Sequence, residues 1–204
     1  MLTGCPFDLY HQVLRTYPPL IHLAKETVAP QVVTTSSGVY HIPAKCHTYV
    51  DVTALHLDGD VWRNVNKTDD DPQISVDAYG NTGTEDELAF RPSRWVNPPG
   101  ASQTHFQPPK GAYVPWSTGP RVCPGQKMAQ VEFTAIFLTL FRRHRIEPVP
   151  LPVGGREETE NEINMRLDDL MKDSICVPTL QMRGVYEANE GDGKGLKIRL
   201  CRRK

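Results

Sequence analysis

The hydrophobic and polar positions of this chain of 204 residues change period several times along its length. The strongest signal is one long helix predicted over residues 126–144. Residues 133–141 are apolar on nearly every face, which is typical of a helix buried on all sides. We therefore expect a partner of similar size to cover this helix, although little of the chain is left to do so.

Two segments before that helix carry clear element signals. Residues 6–16 predict a helix, because Pro6 suits its first turn and the run Tyr17-Pro18-Pro19 ends it. Residues 28–52 are rich in β-branched and aromatic side chains and contain a Ser-Ser-Gly turn. That pattern predicts a small sheet built from hairpins.

The remaining segments are less regular. Residues 64–87 are polar, acidic and turn-rich, so we expect an exposed insertion. Residues 90–125 are rich in proline, glycine and aromatic side chains. A segment of this length is too long for a simple connecting loop in a compact domain, so it is either functional or disordered. A C-terminal hairpin region is predicted over 175–202, with a strand at 175–182, a turn at 191–195 and a returning strand at 196–201, after a charged stretch at 156–172.

Composition narrows the function classes. The formal net charge of -1 gives no reason to expect a nucleic-acid partner, and the basic run at 197–204 fits an alternating edge strand. None of the five cysteines forms a pair with a two-residue gap, which disfavours a zinc knuckle, and their odd number does not support a disulfide framework. The chain contains no run of about 18 apolar residues, so the sequence predicts no membrane span.

The most specific chemical feature is the loop of residues 115–125, which runs directly into the long helix. Cys123 lies just before the helix N-terminus, where the dipole and unpaired amides favour a thiolate. A glycine-rich turn lets backbone donors approach a metal-bound sulfur. Trp116 offers an apolar face that shields the sulfur. Arg121 is placed to pair with a carboxylate held beside the metal that this sulfur would bind.

This loop resembles the haem-binding signature of the cytochrome P450 family, which reads aromatic-x-x-Gly-x-Arg-x-Cys-x-Gly. The matching residues are Trp116, Gly119, Arg121, Cys123 and Gly125, with Trp116 in place of the family's usual Phe. The resemblance implies that Cys123 is the axial ligand of the iron of haem b, since Cys-thiolate ligation is the mode of this family. The alternative is a buried cysteine in an ordinary loop.

Two further segments resemble the family in the expected order. The run from Phe90 to Trp95 resembles its aromatic-x-Pro-x-Arg segment, and Gln12 to Arg15 resembles its Glu-x-x-Arg helix. In the family the glutamate, the arginine one turn later and the residue matching Arg94 form a buried charge network that holds the cysteine loop. Because Gln12 replaces the glutamate, either the network is weakened, another carboxylate serves, or the sequence is degraded.

By the same resemblance, Lys25 matches a basic residue that reaches a haem propionate, and residues 20–24 would line the substrate cavity. Residues 182–184 resemble the last hairpin of fungal members. The resemblance thus predicts an α+β, mainly α fold, with residues 1–204 a partial domain from the C-terminal, proximal side of the haem.

The function implied by the resemblance is a monooxygenase that inserts one atom of dioxygen into a small apolar organic substrate, with electrons from a reductase. No acid-Thr pair lies in a helical apolar run here, so we expect the chain alone to lack the oxygen-activating side. A truncated, inactive remnant is the alternative, and a cysteine-nucleophile enzyme is a third reading, disfavoured because His144 lies beyond the long helix. The parent protein is expected at the cytoplasmic face of the endoplasmic reticulum membrane, through an N-terminal anchor that this chain lacks.

Overall fold

The computed structural model describes residues 6–71, 75–76, 82–83, 85–176, 179–182 and 196–203. Its α-helices are α1 (Pro6–Thr16), α2 (Val52–His56), α3 (Gly59–Trp62), α4 (Gln126–Phe141) and α5 (Glu160–Lys172). Short 3-10 turns lie at Asp86–Leu88, Pro92–Trp95 and Gly119–Arg121.

The strands form antiparallel pairs. They are β1 (His22–Glu26) with β4 (His47–Asp51), β2 (Gln31–Thr35) with β3 (Gly38–Ile42), β5 (Ser75–Val76) with β6 (Thr82–Gly83), β7 (His144–Pro148) with β12 (Ile198–Arg202), β8 (Pro152–Val153) with β9 (Arg156–Glu157), and β10 (Ser174–Cys176) with β11 (Leu180–Met182). Helices and small sheets along one chain place the fold in the α+β class, as predicted.

The region predicted as one small sheet over 28–52 is divided into two. The hairpin of β2 and β3 has its own ladder, and β4 pairs with β1 instead. Pro30 and Pro43 stand where the two ladders separate, and neither can donate a backbone hydrogen bond. Thr27 continues the outer pair, since its N–H donates to Cys46 O at 3.1 Å.

Pairing near the C-terminus differs from the prediction. Residues 175–182 do not form one strand, because β10 turns back onto β11, and β12 pairs with β7 with Leu200 opposite Ile146. The long helix ends at Phe141 rather than at residue 144, because His144 already belongs to β7. The predicted turn at 191–195 and residues 183–184 lie outside the described part of the chain.

The prediction of an exposed insertion over 64–87 is wrong at its end. The Asp86 and Glu87 side chains are buried, because both carboxylates are paired with arginines. The charged stretch that follows β9 forms α5, which starts with a capping box between Thr159 and Glu162.

The densest packing surrounds α1. The fully buried rings of Trp62 and Trp95 lie 5.4 Å apart, and α1 packs against the Pro92–Trp95 turn on one side and α4 on another. A second buried cluster joins Leu23, Val52 and Val114. The second cluster includes Val114, the residue just before the loop that leads to Cys123.

The prediction that α4 is buried on all sides is wrong for this chain. None of its residues is buried, and Met128, Ile136 and Leu138 are 72%, 52% and 55% exposed. Its main contacts come from α1 and β7, which leave much of the apolar surface uncovered. None of the helices within the described ranges is long and apolar enough to span a membrane.

Candidate functional site

Arg15 is the centre of the buried polar network on α1. Its Nη1 donates to the carbonyl oxygens of His56 at 2.9 Å and Glu87 at 2.7 Å, and its Nη2 donates to Ala89 O at 2.9 Å. The guanidinium carbon also lies 5.2 Å from the ring centre of Trp62. Burial lowers the pKa of Arg15 to about 9, and the nearby charge of Arg94 acts in the same direction.

Gln12 connects α1 to the segment of residues 89–95. Its Oε1 accepts from Arg15 Nε at 3.3 Å and from Trp95 Nε1 at 3.1 Å, while its Nε2 donates to Ala89 O at 3.1 Å. An amide satisfies the carbonyl of Ala89 in a way that an ionised carboxylate cannot. The neutral side chain at position 12 therefore both donates and accepts hydrogen bonds within the network.

The charge that faces Arg94 comes from Asp86. Arg94 Nη1 lies 2.8 Å from Asp86 Oδ2, and Arg91 holds the same carboxylate through Nε and Nη2, both at 2.9 Å. Burial by itself raises the pKa of Asp86, but hydrogen bonds and charges from Arg91 and Arg94 outweigh it and lower the pKa to about 2. Asp86 is thus ionised at neutral pH between two buried cations.

The cysteine loop is shaped by its own backbone hydrogen bonds. Cys123 N donates to Trp116 O at 2.9 Å, and Val122 N donates to Gly119 O at 3.1 Å. Gly119 has a φ of +81°, a left-handed conformation that glycine adopts without strain. A Cβ placed on Gly125 would lie 3.7 Å from Cys123 Sγ, so glycine leaves the space beside the sulfur open.

The loop is tied to the rest of the fold at three points. Val114 N donates to His56 Nε2 at 2.9 Å just before the loop begins. Lys25 Nζ, from β1, donates to Ser117 Oγ at 3.1 Å within it. The ring of Tyr10 on α1 lies parallel to that of Trp116, with 6.4 Å between centres, and packs on Phe133 of α4 at 4.9 Å.

The structure brings the predicted site residues into two groups. Gln12, Arg15 and Arg94 lie in or beside the buried network, and Lys25 contacts the loop that carries the signature residues. That loop contains Trp116, Gly119, Arg121, Cys123 and Gly125, of which Arg121 is exposed to solvent. His144 begins β7, with Nδ1 3.3 Å from Leu140 O, so it stays at the far end of α4 from Cys123.

Sequence reasoning missed three residues of this region. Asp86 lies in the segment predicted as an exposed insertion, and His56 and Tyr10 belong to none of the motifs. The spacing of Asp86 from two arginines, five and eight residues later, is a signal that could have found it. His56 and Tyr10 carry no comparable local signal, because their partners lie more than 50 residues away in the chain.

The donor set around Cys123 is compatible with a haem. Among the residues that the structure describes, no group of three or more His, Cys, Asp or Glu side chains could hold a metal ion. A porphyrin supplies four nitrogen ligands of its own, so a haem would need only a single sulfur ligand from Cys123. The buried Nε1 of Trp116 has no hydrogen-bond partner in the described part of the chain, which marks a polar group whose partner is still to be supplied.

The chain is similar to proteins of the cytochrome P450 family. The family model for cytochrome P450 matches residues 86–166. A phomenoic acid biosynthesis cluster cytochrome P450 monooxygenase from Leptosphaeria maculans is 45% identical over 157 residues, which cover 76% of this chain and 26% of that protein. A cytochrome P450 monooxygenase from Arthrobotrys oligospora is 27% identical over 179 residues, covering 72% of this chain and 29% of the relative.

A solved structure shares the fold. Cyanobacterial CYP120A1 with bound retinoic acid superposes with a TM-score of 0.58 at 19% identity, covering 97% of this chain and 32% of that one. The chain therefore spans between about a quarter and a third of the length of the relatives that it matches.

Proposed function

The chain belongs to the cytochrome P450 family, and on that premise we propose that Cys123 is the axial thiolate ligand of a haem b iron. The observation that carries the proposal is the position of Cys123, in a loop closed by its own hydrogen bond to Trp116 O at 2.9 Å and followed at once by α4. Backbone amides at a helix N-terminus and a glycine-rich turn stabilise negative charge on sulfur. When bound, the haem supplies the redox chemistry that activates dioxygen.

The other loop residues hold the cofactor and protect its ligand. Trp116 would shield the sulfur from water, and Gly119 and Gly125 would leave room for the loop to approach the cofactor. Lys25 and Arg121 supply cations for the propionate carboxylates, for which Lys25 is already directed to the loop through Ser117. The network of Gln12, Arg15 and Arg94 keeps the segment before the loop in place.

For the whole protein we propose a monooxygenase that takes two electrons from a reductase and inserts one atom of dioxygen into a small apolar organic substrate. The fungal relative named for phomenoic acid biosynthesis supports an organic substrate. Residues 20–24 would border its cavity. A location at the cytoplasmic face of the endoplasmic reticulum membrane completes the proposal for the parent.

A second candidate function is favoured by the uncovered surface of α4. With Ile136 and Leu138 more than half exposed, the apolar surface of α4 is left for further protein to cover. We therefore propose that the chain alone binds haem at Cys123 but does not turn over substrate, as expected of an inactive remnant or of one part of a larger enzyme.

The test is reconstitution of the chain with haemin, followed by the ferrous carbon monoxide spectrum. We expect a thiolate-type band that Cys123→Ser abolishes. Cys46→Ser and Cys201→Ser are matched controls, because both cysteines are free and as partly exposed as Cys123. A band that survives Cys123→Ser contradicts the ligand assignment, and oxygenated product formed by the isolated chain with a reductase contradicts the proposal that it is inactive alone.

A further inference from the structure

Three arginine side chains carry positive charge in the buried network. Arg15, Arg91 and Arg94 are all buried, and position 12 carries a neutral amide. A buried cation without compensation costs several kcal/mol. The chain must therefore obtain its countercharge from a residue outside the Gln-x-x-Arg motif.

Asp86 meets this requirement by geometry. It is 2% exposed, and its two carboxylate oxygens accept from Arg91 Nε and Nη2 and from Arg94 Nη1, at 2.9, 2.9 and 2.8 Å. The backbone N–H of Asn64 adds a fourth donor, 2.9 Å from Oδ2. The backbone oxygen of Asp86 also accepts from Arg94 Nη2 at 2.5 Å, so this arginine contacts both ends of the residue.

Arg15 is the third buried cation, and its hydrogen-bond partners are neutral groups. Backbone carbonyls of His56, Glu87 and Ala89 and the ring of Trp62 take the place of a carboxylate around it. Arg94 is bound differently, since its neighbour is a charged group at 2.8 Å. The carboxylate that pairs with Arg94 thus comes from the 3-10 turn that precedes Arg91 and not from α1.

We propose that Asp86 is the positioning residue that replaces the missing glutamate of α1, and that its carboxylate holds Arg91 and Arg94 so that the segment of residues 89–96 packs against α1. That segment includes Trp95, whose indole donates to Gln12, and Val96, which bridges to His105. Its placement supports the loop below it. The inference concerns the folding of this chain and holds whether or not Cys123 binds haem.

The test is a double-mutant cycle on the full 204-residue chain, with unfolding by urea as the measurement. Asp86→Asn removes the charge and keeps the shape, and we expect the ratio of folded to unfolded chain to fall by about 100-fold or more. Gln12→Glu returns a carboxylate to α1. In the wild-type chain this substitution loses the donor to Ala89 O, so we expect its effect on the folded ratio to be more favourable by at least about tenfold in the Asp86→Asn background.

Glu87→Gln is the matched control. Glu87 is a buried neighbour that also pairs with an arginine, through Arg63 Nε at 2.9 Å, but the Arg63 side chain is 56% exposed and remains solvated when its partner is lost. We expect a decrease of less than about tenfold in the folded ratio for this variant.

Rescue of Asp86→Asn by Gln12→Glu, with little effect in Glu87→Gln, supports the proposal. Two results overturn it: equal effects of Gln12→Glu in both backgrounds, or a double variant that fails to fold while Glu87→Gln folds. Either result means that a carboxylate at position 12 cannot do the work of Asp86. Haemin binding of each variant is a separate readout, so loss of haem binding with an intact cycle counts against the proposed function and not against this inference.

Discussion

Acidification is expected to destabilise the chain through His56, a fully buried side chain at the end of α2. Its Nε2 accepts from Val114 N at 2.9 Å, which requires the neutral imidazole, because a protonated ring has no acceptor. Burial lowers the pKa of His56 from 6.5 to about 4, and the positive charge of Arg15 acts in the same direction. Protonation would both break the bond to Val114 and add a cation beside Arg15.

The lowered pKa of His56 sets both the direction and the size of the change in stability with pH. The unfolded chain binds a proton at His56 below about pH 6.5, whereas the folded chain does so only near pH 4. Stability is therefore lost as the pH falls through this window and changes little from this source below it. A difference of about 2.5 pH units corresponds to roughly 3 kcal/mol.

The assay is the free energy of unfolding by urea, measured at several pH values for wild type and His56→Gln. Glutamine offers an acceptor near the position of Nε2 and does not titrate, so the loss between pH 6.5 and 4 should be smaller by roughly 3 kcal/mol in the variant. His11, whose pKa is also lowered to about 4 by burial, is present in both proteins and does not affect the difference. His41→Gln, on the exposed β3, is the control. Identical pH dependences for wild type and His56→Gln would refute the reasoning.

Two further predictions concern the loop and α4. Lys25→Met removes the cation proposed for a haem propionate, so haemin should bind several-fold more weakly in a titration. Because the hydrogen bonds that are lost as well, such as that to Ser117, are at most partly buried, the haem-free chain should unfold within about 0.5 kcal/mol of wild type. An unchanged haemin affinity would argue against a propionate contact. Gln at both Ile136 and Leu138 should change the unfolding free energy by less than about 0.5 kcal/mol and reduce self-association in sedimentation, because both side chains are more than half exposed. A large loss of stability would mean that the chain itself covers this face of α4.

Elements with strong local signals could be predicted from the sequence. The helix predicted over 6–16 and α1 span the same residues, because proline marks its first turn and Pro18 follows its end. The loop residues follow from the signature, and the start of α4 follows from the glycine before it. Each of these signals lies within a few residues of the feature that it marks.

Features that depend on distant partners could not be predicted. The pairing of β7 with β12 joins segments more than 50 residues apart, and local alternation does not say which strand meets which. The burial of Asp86 follows from the arginines around it, since an acidic, turn-rich segment by itself indicates solvent exposure. The exposure of α4 depends on which elements pack against the helix, and the apolar pattern of α4 alone does not show whether they are present.

The most direct test of the central claim is iron X-ray absorption of the chain loaded with haemin, compared with Cys123→Ser. Cys123 as the axial ligand predicts one sulfur atom bound to the iron in the wild type and none in the variant, with Cys46→Ser and Cys201→Ser unchanged. Iron with only nitrogen and oxygen neighbours in the wild type, or a sulfur ligand that persists in Cys123→Ser, would contradict the account.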